Sequence, residues 1–429
     1  MMSLKSKRNF ADWLTWLEQQ YPKEIDLSLE RIAQVAKQLQ LTTFPFPVIT
    51  VAGTNGKGSS VAMLAAIYQA AGYRVATTTS PHLLRFTERM CINGQELSED
   101  RWCEAFSNVV DACHEIKPTY FEYAILASLW LMQQAYQQQG LDVIILEVGL
   151  GGRFDAVNVV EPDIAVVTSI AIDHVRFLGD NRESIGREKA GIFRANKPAV
   201  CGEPDVPDTI YDMANQLSAP LFCQGKDFSY TIQEDSWSWQ NNHGKITTLP
   251  LPQLPIQNAS TVLQTIDLLQ QRLPVKRAAI KEGLALAHVP GRFQIVEGDG
   301  DVQTVLDVAH NPHSAEYLQQ KLVTYGQPVK RLFAVVAMLQ DKDILGTLSA
   351  LQHSFHTWYA AGLPQQRRGA SEQTIKQTLE QLSVANIQSF ATVAQAYQQA
   401  QAVAQPGDAI IVFGSFYTVA EILRLLGMT

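Results

Sequence analysis

The chain has 429 residues, 46% of them hydrophobic and 18% charged, which excludes a disordered or fibrous polypeptide and leaves material for two hydrophobic cores. Its formal net charge of -8, from 34 basic and 42 acidic residues with the basic ones scattered, excludes nucleic acid as a partner. No run approaches the roughly 18 to 20 apolar residues that span a bilayer, and the N-terminal MMSLKSKRNFADWL lacks an apolar signal core, so no membrane partner and a cytoplasmic location are expected. The five cysteines, at 91, 103, 113, 201 and 223, are odd in number and lack CxxC spacing, which fits buried thiols in a reducing compartment rather than a disulfide or zinc framework.

An amphipathic N-terminal helix opens the chain. PVITV at 47–51 then reads as a short buried strand, followed by a glycine-rich turn and an apolar-periodic helix from Ser59 to Ala71. The alternation continues with strands near 74–80, 142–148 and 163–170, separated by helical stretches, which implies a parallel sheet covered on both faces. Between about 202 and 257, alternating polar and apolar residues, an NNHG turn and several prolines predict a small antiparallel excursion. Helices over about Asn258–Arg272 and Val275–His288 lead to VPGRF at 289–293, where proline and glycine mark a hinge.

From 302 the alternation restarts with VQTVLDVA, a helix from about Pro312, RLFAVVAM, a helix after Asp341, HTWYAAG, helices flanking IQSFAT, and DAIIVFGS. The expected fold is therefore α/β: an N-terminal P-loop-type domain (1–289) with a mostly parallel sheet and a small antiparallel excursion, then a C-terminal Rossmann-like doubly wound domain (290–429).

Gly53-Thr54-Asn55-Gly56-Lys57-Gly58-Ser59 stands between a strand and a helix, where backbone N–H groups and the positive end of a helix dipole hold a polyphosphate. Glycine permits close approach, Lys57 supplies charge to the terminal phosphates, and Ser59 offers a hydroxyl to magnesium. The spacing departs from GxxxxGK[ST], because Gly58 intervenes between the lysine and the serine. ATP is the expected ligand.

Further residues emerge at the ligand edge of the sheet. Glu147 closes an apolar strand, where a carboxylate can hold magnesium or pair with a basic neighbour. Ser80 ends the strand near 74–80 and reads equally as a turn serine or a second hydroxyl ligand. His174 follows Ile172-Asp173, and chemistry alone favours a hydrogen-bonding imidazole over a ligand to a hard cation. Lys189, beside Glu188 on a helix beginning near Arg182, reads by default as a solvated surface lysine. Asp307, His310 and Asn311 stand between a strand and a helix, at a loop position suited to reaching a ligand.

GTNGKGS resembles the phosphate loop of the Mur ligase superfamily, and its lysine-glycine-serine ending resembles the folate branch, the dihydrofolate synthase/folylpolyglutamate synthase family. TSPHLLRFTER (79–89), EVGLGGRFDAVN (147–158), DH (173–174), EKAGIF (188–193), GRFQ (291–294), LDVAHNP (306–312), AMLQDKD (337–343) and VFGSFYTVAE (412–421) follow in the family's order. The resemblance implies an ATP-binding first domain of the Mur ligase central type and a C-terminal glutamate-ligase domain. It implies magnesium on Ser59, Ser80, Glu147 and His174, with Lys57, Glu147, His174 and Lys189 catalytic and Lys189 carbamylated. It places the nucleotide on the 53–59 loop, Asn258, Asp307, His310 and Arg292, the last also closing the domains. Asn258 departs from the pattern, since the histidine-glutamine that flanks it in many relatives is replaced by Ile256-Gln257. Arg85, on a loop read as mobile, with Phe121 and Asp155, is implied for the pterin, against default readings of surface charge for Arg85 and core aromatic for Phe121.

The activity implied is ATP-dependent addition of L-glutamate to 7,8-dihydropteroate and to reduced folates. A free carboxylate is a poor electrophile, and phosphorylation converts it to an acyl phosphate that an amine attacks. The wording resembles the bifunctional members; a monofunctional synthase of either kind is the alternative. A Mur-type peptidoglycan ligase is disfavoured by the short segment before the loop, which leaves no room for a separate nucleotide-sugar domain, and an ATP-gated binding protein by the motifs of 291–312. A potassium ion is a further candidate cofactor, and a monomer is expected.

Overall fold

The computed structural model describes residues 8–21, 26–297, 302–325 and 329–428. Its first sheet is built on β1 (Val48–Ala52), whose five residues VITVA are all buried. Strands β2 (Val75–Thr78), β3 (Met90–Ile92), β4 (Gln95–Glu96), β5 (Val143–Glu147), β6 (Ile164–Val167), β7 (Ala199–Cys201) and β8 (Leu221–Cys223) join it in the order β4-β3-β2-β5-β1-β6-β7-β8. The six strands from β2 to β8 in that order are parallel, whereas β3 and β4 form an antiparallel edge. Continuous apolar runs such as VIILE and IAVV suit strands covered on both faces.

Helix Lys57–Ala70 leaves the carboxyl end of β1 and packs against helices Ile256–Leu268 and Arg277–Leu286. Gly283 permits that approach, because a Cβ there would lie 2.4 Å from the Ile67 Cα. On the other face, helix Tyr120–Gln139 and the N-terminal helices Phe10–Gln19 and Glu30–Gln38 bury Trp13, Leu17, Ile32, Val35, Leu126 and Leu129 in one core.

Two readings of the sequence are corrected here. The N-terminal region holds two helices rather than one, and the antiparallel excursion is shorter than 202–257. Helix Asp208–Gln216 and β8 occupy the start of that stretch, and β8 extends the main sheet parallel to β7. The excursion itself is β9 (Phe228–Ile232), β10 (Trp237–Asn241) and β11 (Gly244–Leu249), an antiparallel sheet that buries Trp237 and Trp239. A three-residue strand such as LFC is too short to carry a period, which is why it could not be separated from its surroundings.

Packing divides the chain into two units, Met1–His288 and Val289–Thr429. The second contains β12 (Gln294–Glu297), β13 (Gln303–Leu306), β14 (Leu332–Val336), β15 (Thr357–Ala361), β16 (Ile387–Phe390) and β17 (Ala409–Phe413), ordered β12-β13-β17-β14-β15-β16. All pairs are parallel except β12–β13. Its core gathers Val336, Trp358, Ile375, Ile411 and Phe413. Among the described residues no helix is long and apolar enough to cross a membrane.

Candidate active site

The 53–59 loop is clamped from the neighbouring strand end. Thr54 N–H donates to the Ser169 carbonyl at 2.8 Å and Asn55 N–H to the Ser169 hydroxyl at 3.0 Å. Thr168 and Ser169 donate their hydroxyls to the Asn55 carbonyl at 2.7 and 3.0 Å. The Thr54 hydroxyl donates to the Ala171 carbonyl and accepts from its N–H. Thr54 and Asn55 therefore form the scaffold of the loop, and the turn from Gly56 to Ser59 is the part that opens the helix, where N–H groups lack intrahelical acceptors. The Thr168 and Ser169 clamp was missed in the sequence, although both residues sit at the end of an apolar strand and were open to the reasoning applied to Glu147.

Glycine is required twice in the loop. Gly56 has φ +84°, and a Cβ on it would meet the Asn258 amide at 2.5 Å. A Cβ on Gly53 would lie 1.9 Å from the Thr168 hydroxyl. Asn258 thus lies directly against the loop. Lys57 folds back to donate to the carbonyls of Gly53 and Thr54 at 3.0 and 3.3 Å.

Glu147 ends β5 beside the loop: its carboxylate oxygens lie 3.7 and 3.8 Å from where a Gly58 Cβ would be. The same carboxylate accepts the Ser80 N–H at 3.0 Å. Ser59, the next residue of the helix, is buried. Thr78, Ser80, Arg89, Phe121, Ser128 and Glu147 line one recess. Phe121 continues it toward Asp155, since a Cβ on Gly149 would meet the Phe121 ring at 2.5 Å and the Asp155 carboxylate at 3.2 Å.

The Lys57 charge couples two further buried groups, Lys189 and Asp155, to this cluster. Lys189 is only 2% exposed, so the default reading of a solvated surface lysine is corrected. Burial pushes its ammonium down to about 7, the neighbouring Lys57 charge adds to that, and Asp173 opposes it. Burial likewise pushes Asp155 up to about 6, against N–H donors from Leu150, Val157 and Gly149 and the Lys57 charge. His174 adopts φ +52° at the start of the short helix Val175–Leu178, with its N–H on the Asp173 carboxylate at 2.7 Å.

Arg85 is not brought to the cluster. It pairs with Glu96 at 2.6 Å, and its side chain is 49% exposed. Its loop is fastened by Glu88, whose carboxylate accepts the N–H groups of Leu83, Leu84 and Arg85 at 2.7, 2.8 and 2.6 Å.

In the second unit, Asp307 accepts from the Phe293 and Ala309 N–H groups, both at 2.8 Å; burial raises its carboxyl and the Arg292 charge opposes this. Arg292 lies over the Phe416 ring at 5.4 Å, and the His310 ring centroid is 6.3 Å from that of Phe416. Asn311 caps helix Pro312–Val323. Arg292, Asp307 and His310 thus share one end of the second sheet.

A glycine-rich loop opening a helix, an acid at the adjacent strand end and a second α/β unit define a class, the ATP-dependent Mur-type ligases. The Mur ligase middle domain model matches residues 51–245 and the Mur ligase glutamate ligase domain model residues 291–416. The dihydrofolate synthase/folylpolyglutamate synthase of Escherichia coli is 48% identical over 417 residues, covering 97% of this chain and 95% of the relative. That of Haemophilus influenzae is 38% identical over 436 residues, covering 98% of each. The structure of E. coli FolC in complex with DHPP and ADP matches with a TM-score of 0.93 and 46% identity, covering 99% of both chains. A Yersinia pestis bifunctional enzyme with Mn, AMPPNP and L-glutamate bound matches at 0.90 and 43%, covering 99% of this chain and 100% of that one. The chain belongs to the dihydrofolate synthase/folylpolyglutamate synthase family.

Proposed function

We propose that this chain is a bifunctional ligase that uses ATP to join L-glutamate to 7,8-dihydropteroate, forming dihydrofolate, and to reduced folates, extending their glutamate tails. The observation that carries the reading is the meeting of Gly58, Glu147 and Ser80 at the helix start, with Phe121 and Asp155 opening from the same recess. It agrees with the relatives of that name and with those solved with nucleotide, Mn and L-glutamate.

The pteroate or folate carboxylate oxygen attacks the γ-phosphorus, ADP leaves, and an acyl phosphate forms. The glutamate amine then attacks the acyl carbon, loses a proton, and phosphate leaves. N–H groups of the helix start and the Lys57 ammonium oppose charge on the transferred phosphoryl group. Phe121 stacks on the pterin, and Asp155 accepts hydrogen bonds from its aminopyrimidinone edge. We assign Arg85 the same ligand, through release from Glu96. We assign Asn258, which lies against the 53–59 loop, to the nucleotide, and propose Arg292, Asp307 and His310, which share one end of the second sheet, as nucleotide-binding residues of their own unit.

We assign magnesium as the divalent metal. Among the described residues no three His, Cys, Asp or Glu side chains are gathered into a cage, and the oxygen donors at the helix start, the Glu147 carboxylate with the Ser59 and Ser80 hydroxyls, suit a hard ion that keeps water and phosphate ligands; we assign His174 to it as a further ligand on the family resemblance alone. When bound, it neutralises phosphate charge. Lys189, buried with a depressed ammonium, has the neutral amine that carbamylation requires, and we propose that it carries that group. We further assign an optional potassium ion, a monomeric state and a cytoplasmic location, the last in keeping with five free thiols.

The test is phosphate release with MgATP and L-glutamate, supplied with 7,8-dihydropteroate, with tetrahydrofolate, or with neither. Glutamate-dependent release with both pterins, lost in Lys57→Ala, is expected. Release with one pterin narrows the enzyme to a single activity, and release with neither overturns the assignment.

A further inference from the structure

Glu122 is a charged residue buried to 3% exposure in the first turn of helix Tyr120–Gln139, one position after Phe121. Its carboxylate accepts the Thr119 N–H at 2.6 Å, and the Thr119 hydroxyl accepts the Glu122 N–H at 3.2 Å, closing a capping box. Arg31, 91 residues earlier in the chain, donates Nε and Nη2 to the two oxygens of the same carboxylate, both at 3.3 Å. Arg31 also donates to the Asp26 carbonyl at 3.1 Å, and its guanidinium lies 4.8 Å over the Tyr21 ring.

This assembly fixes the start of the helix from two sides. A buried ion pair is weak support for stability, because an apolar side chain of similar volume often serves folding as well. What such a pair can supply is register and orientation, and the residue next to Glu122 at the helix start is Phe121, whose ring lies against Gly149 beside the Asp155 carboxylate. We propose that Arg31 and Glu122 are positioning residues for the Phe121 ring and thereby set the affinity for the pterin. The proposal rests on the reading of Phe121 as a pterin contact.

The experiment measures KM for 7,8-dihydropteroate, ATP and L-glutamate, with thermal unfolding, in wild type, Arg31→Met, Arg31→Lys, Glu122→Gln and Phe121→Ala. Ring misplacement in Arg31→Met raises KM for dihydropteroate by about tenfold while the KM for ATP stays within about twofold. Arg31→Lys, which keeps the charge but loses the two-pronged geometry, falls between Arg31→Met and wild type. Glu122→Gln retains an acceptor for Thr119 and reproduces the KM split where Arg31→Met unfolds. An unchanged dihydropteroate KM in the folded variants, or an equal rise for ATP, overturns the positioning role. An unchanged KM in Phe121→Ala instead overturns the pterin assignment on which it rests.

Discussion

The Ser80 N–H donates to the Glu147 carboxylate at 3.0 Å, tying together the carboxyl ends of the neighbouring parallel strands β2 and β5. The bond uses part of the carboxylate's acceptor capacity and holds both oxygens at the 53–59 loop, 3.7 and 3.8 Å from where a Gly58 Cβ would be. Glu147→Gln keeps an oxygen for Ser80 and removes only the charge. Turnover is expected to fall about 10²-fold or more with little change in Tm, because a preorganised charge beside the phosphates is lost. Phosphate release titrated with magnesium checks this, and near-wild-type turnover would remove Glu147 from the metal site.

Gly56→Ala and Gly58→Ala are expected to separate. At Gly56 the left-handed backbone and the Asn258 amide both oppose a Cβ, and the loss is about 1–3 kcal/mol of stability. At Gly58 the nearest atoms lie at 3.7 Å, an ordinary van der Waals contact, so Tm holds while the KM for ATP rises because the methyl fills space at the helix start where a phosphate would approach. Thermal unfolding with ADP titration distinguishes the two; equal destabilisation contradicts it.

Lys189 gives a pH dependence with a definite sign. In the unmodified protein its value of about 7 lies below the ordinary 10.5, so the unfolded chain holds more protons between those values. Stability therefore rises with pH across that window, by at most about 1.4 kcal/mol per unit from this group, and the full penalty persists below 7. Lys189→Met removes this slope in denaturant titrations. Carbamylation predicts that depletion of bicarbonate lowers activity and that labelled bicarbonate restores it with a carbamate signal in carbon NMR; no signal in active enzyme rejects the modification.

Asp155 is held up at about 6, so it is protonated below that pH and ionised above it. In the proposed pterin site the ionised form is the acceptor for the pterin edge, so the KM for dihydropteroate is expected to fall as pH rises from about 5 to about 7. Asp155→Asn should give a flat profile at higher KM. A wild-type profile without an inflection in that range would mean that Asp155 meets no donor on the substrate.

The alternation of strands and helices was legible because five-residue apolar runs bounded by turn residues, such as VIILE and AIIVF, suit short strands buried on both faces. The β3–β4 edge was not read, although Asn93-Gly94, with φ of 50° and 72°, is a recognisable hairpin turn. Three-residue strands escaped for lack of a period. In the site, the loop and Glu147 were readable from their places at strand ends, whereas the Thr168 and Ser169 clamp, the Arg31–Glu122 pair and the burial of Lys189 were not.

The sequence by itself determined the glycine-rich loop at a helix start, the alternation of strands and helices and the family, because each depends on short local patterns or on motifs in series. Only the tertiary structure decided that Lys189 is buried near Lys57, that Arg85 pairs with Glu96, and that Arg31 reaches Glu122. Burial and pairing depend on residues far apart in the chain, and a lysine on a helix carries no local mark of which face the fold will cover.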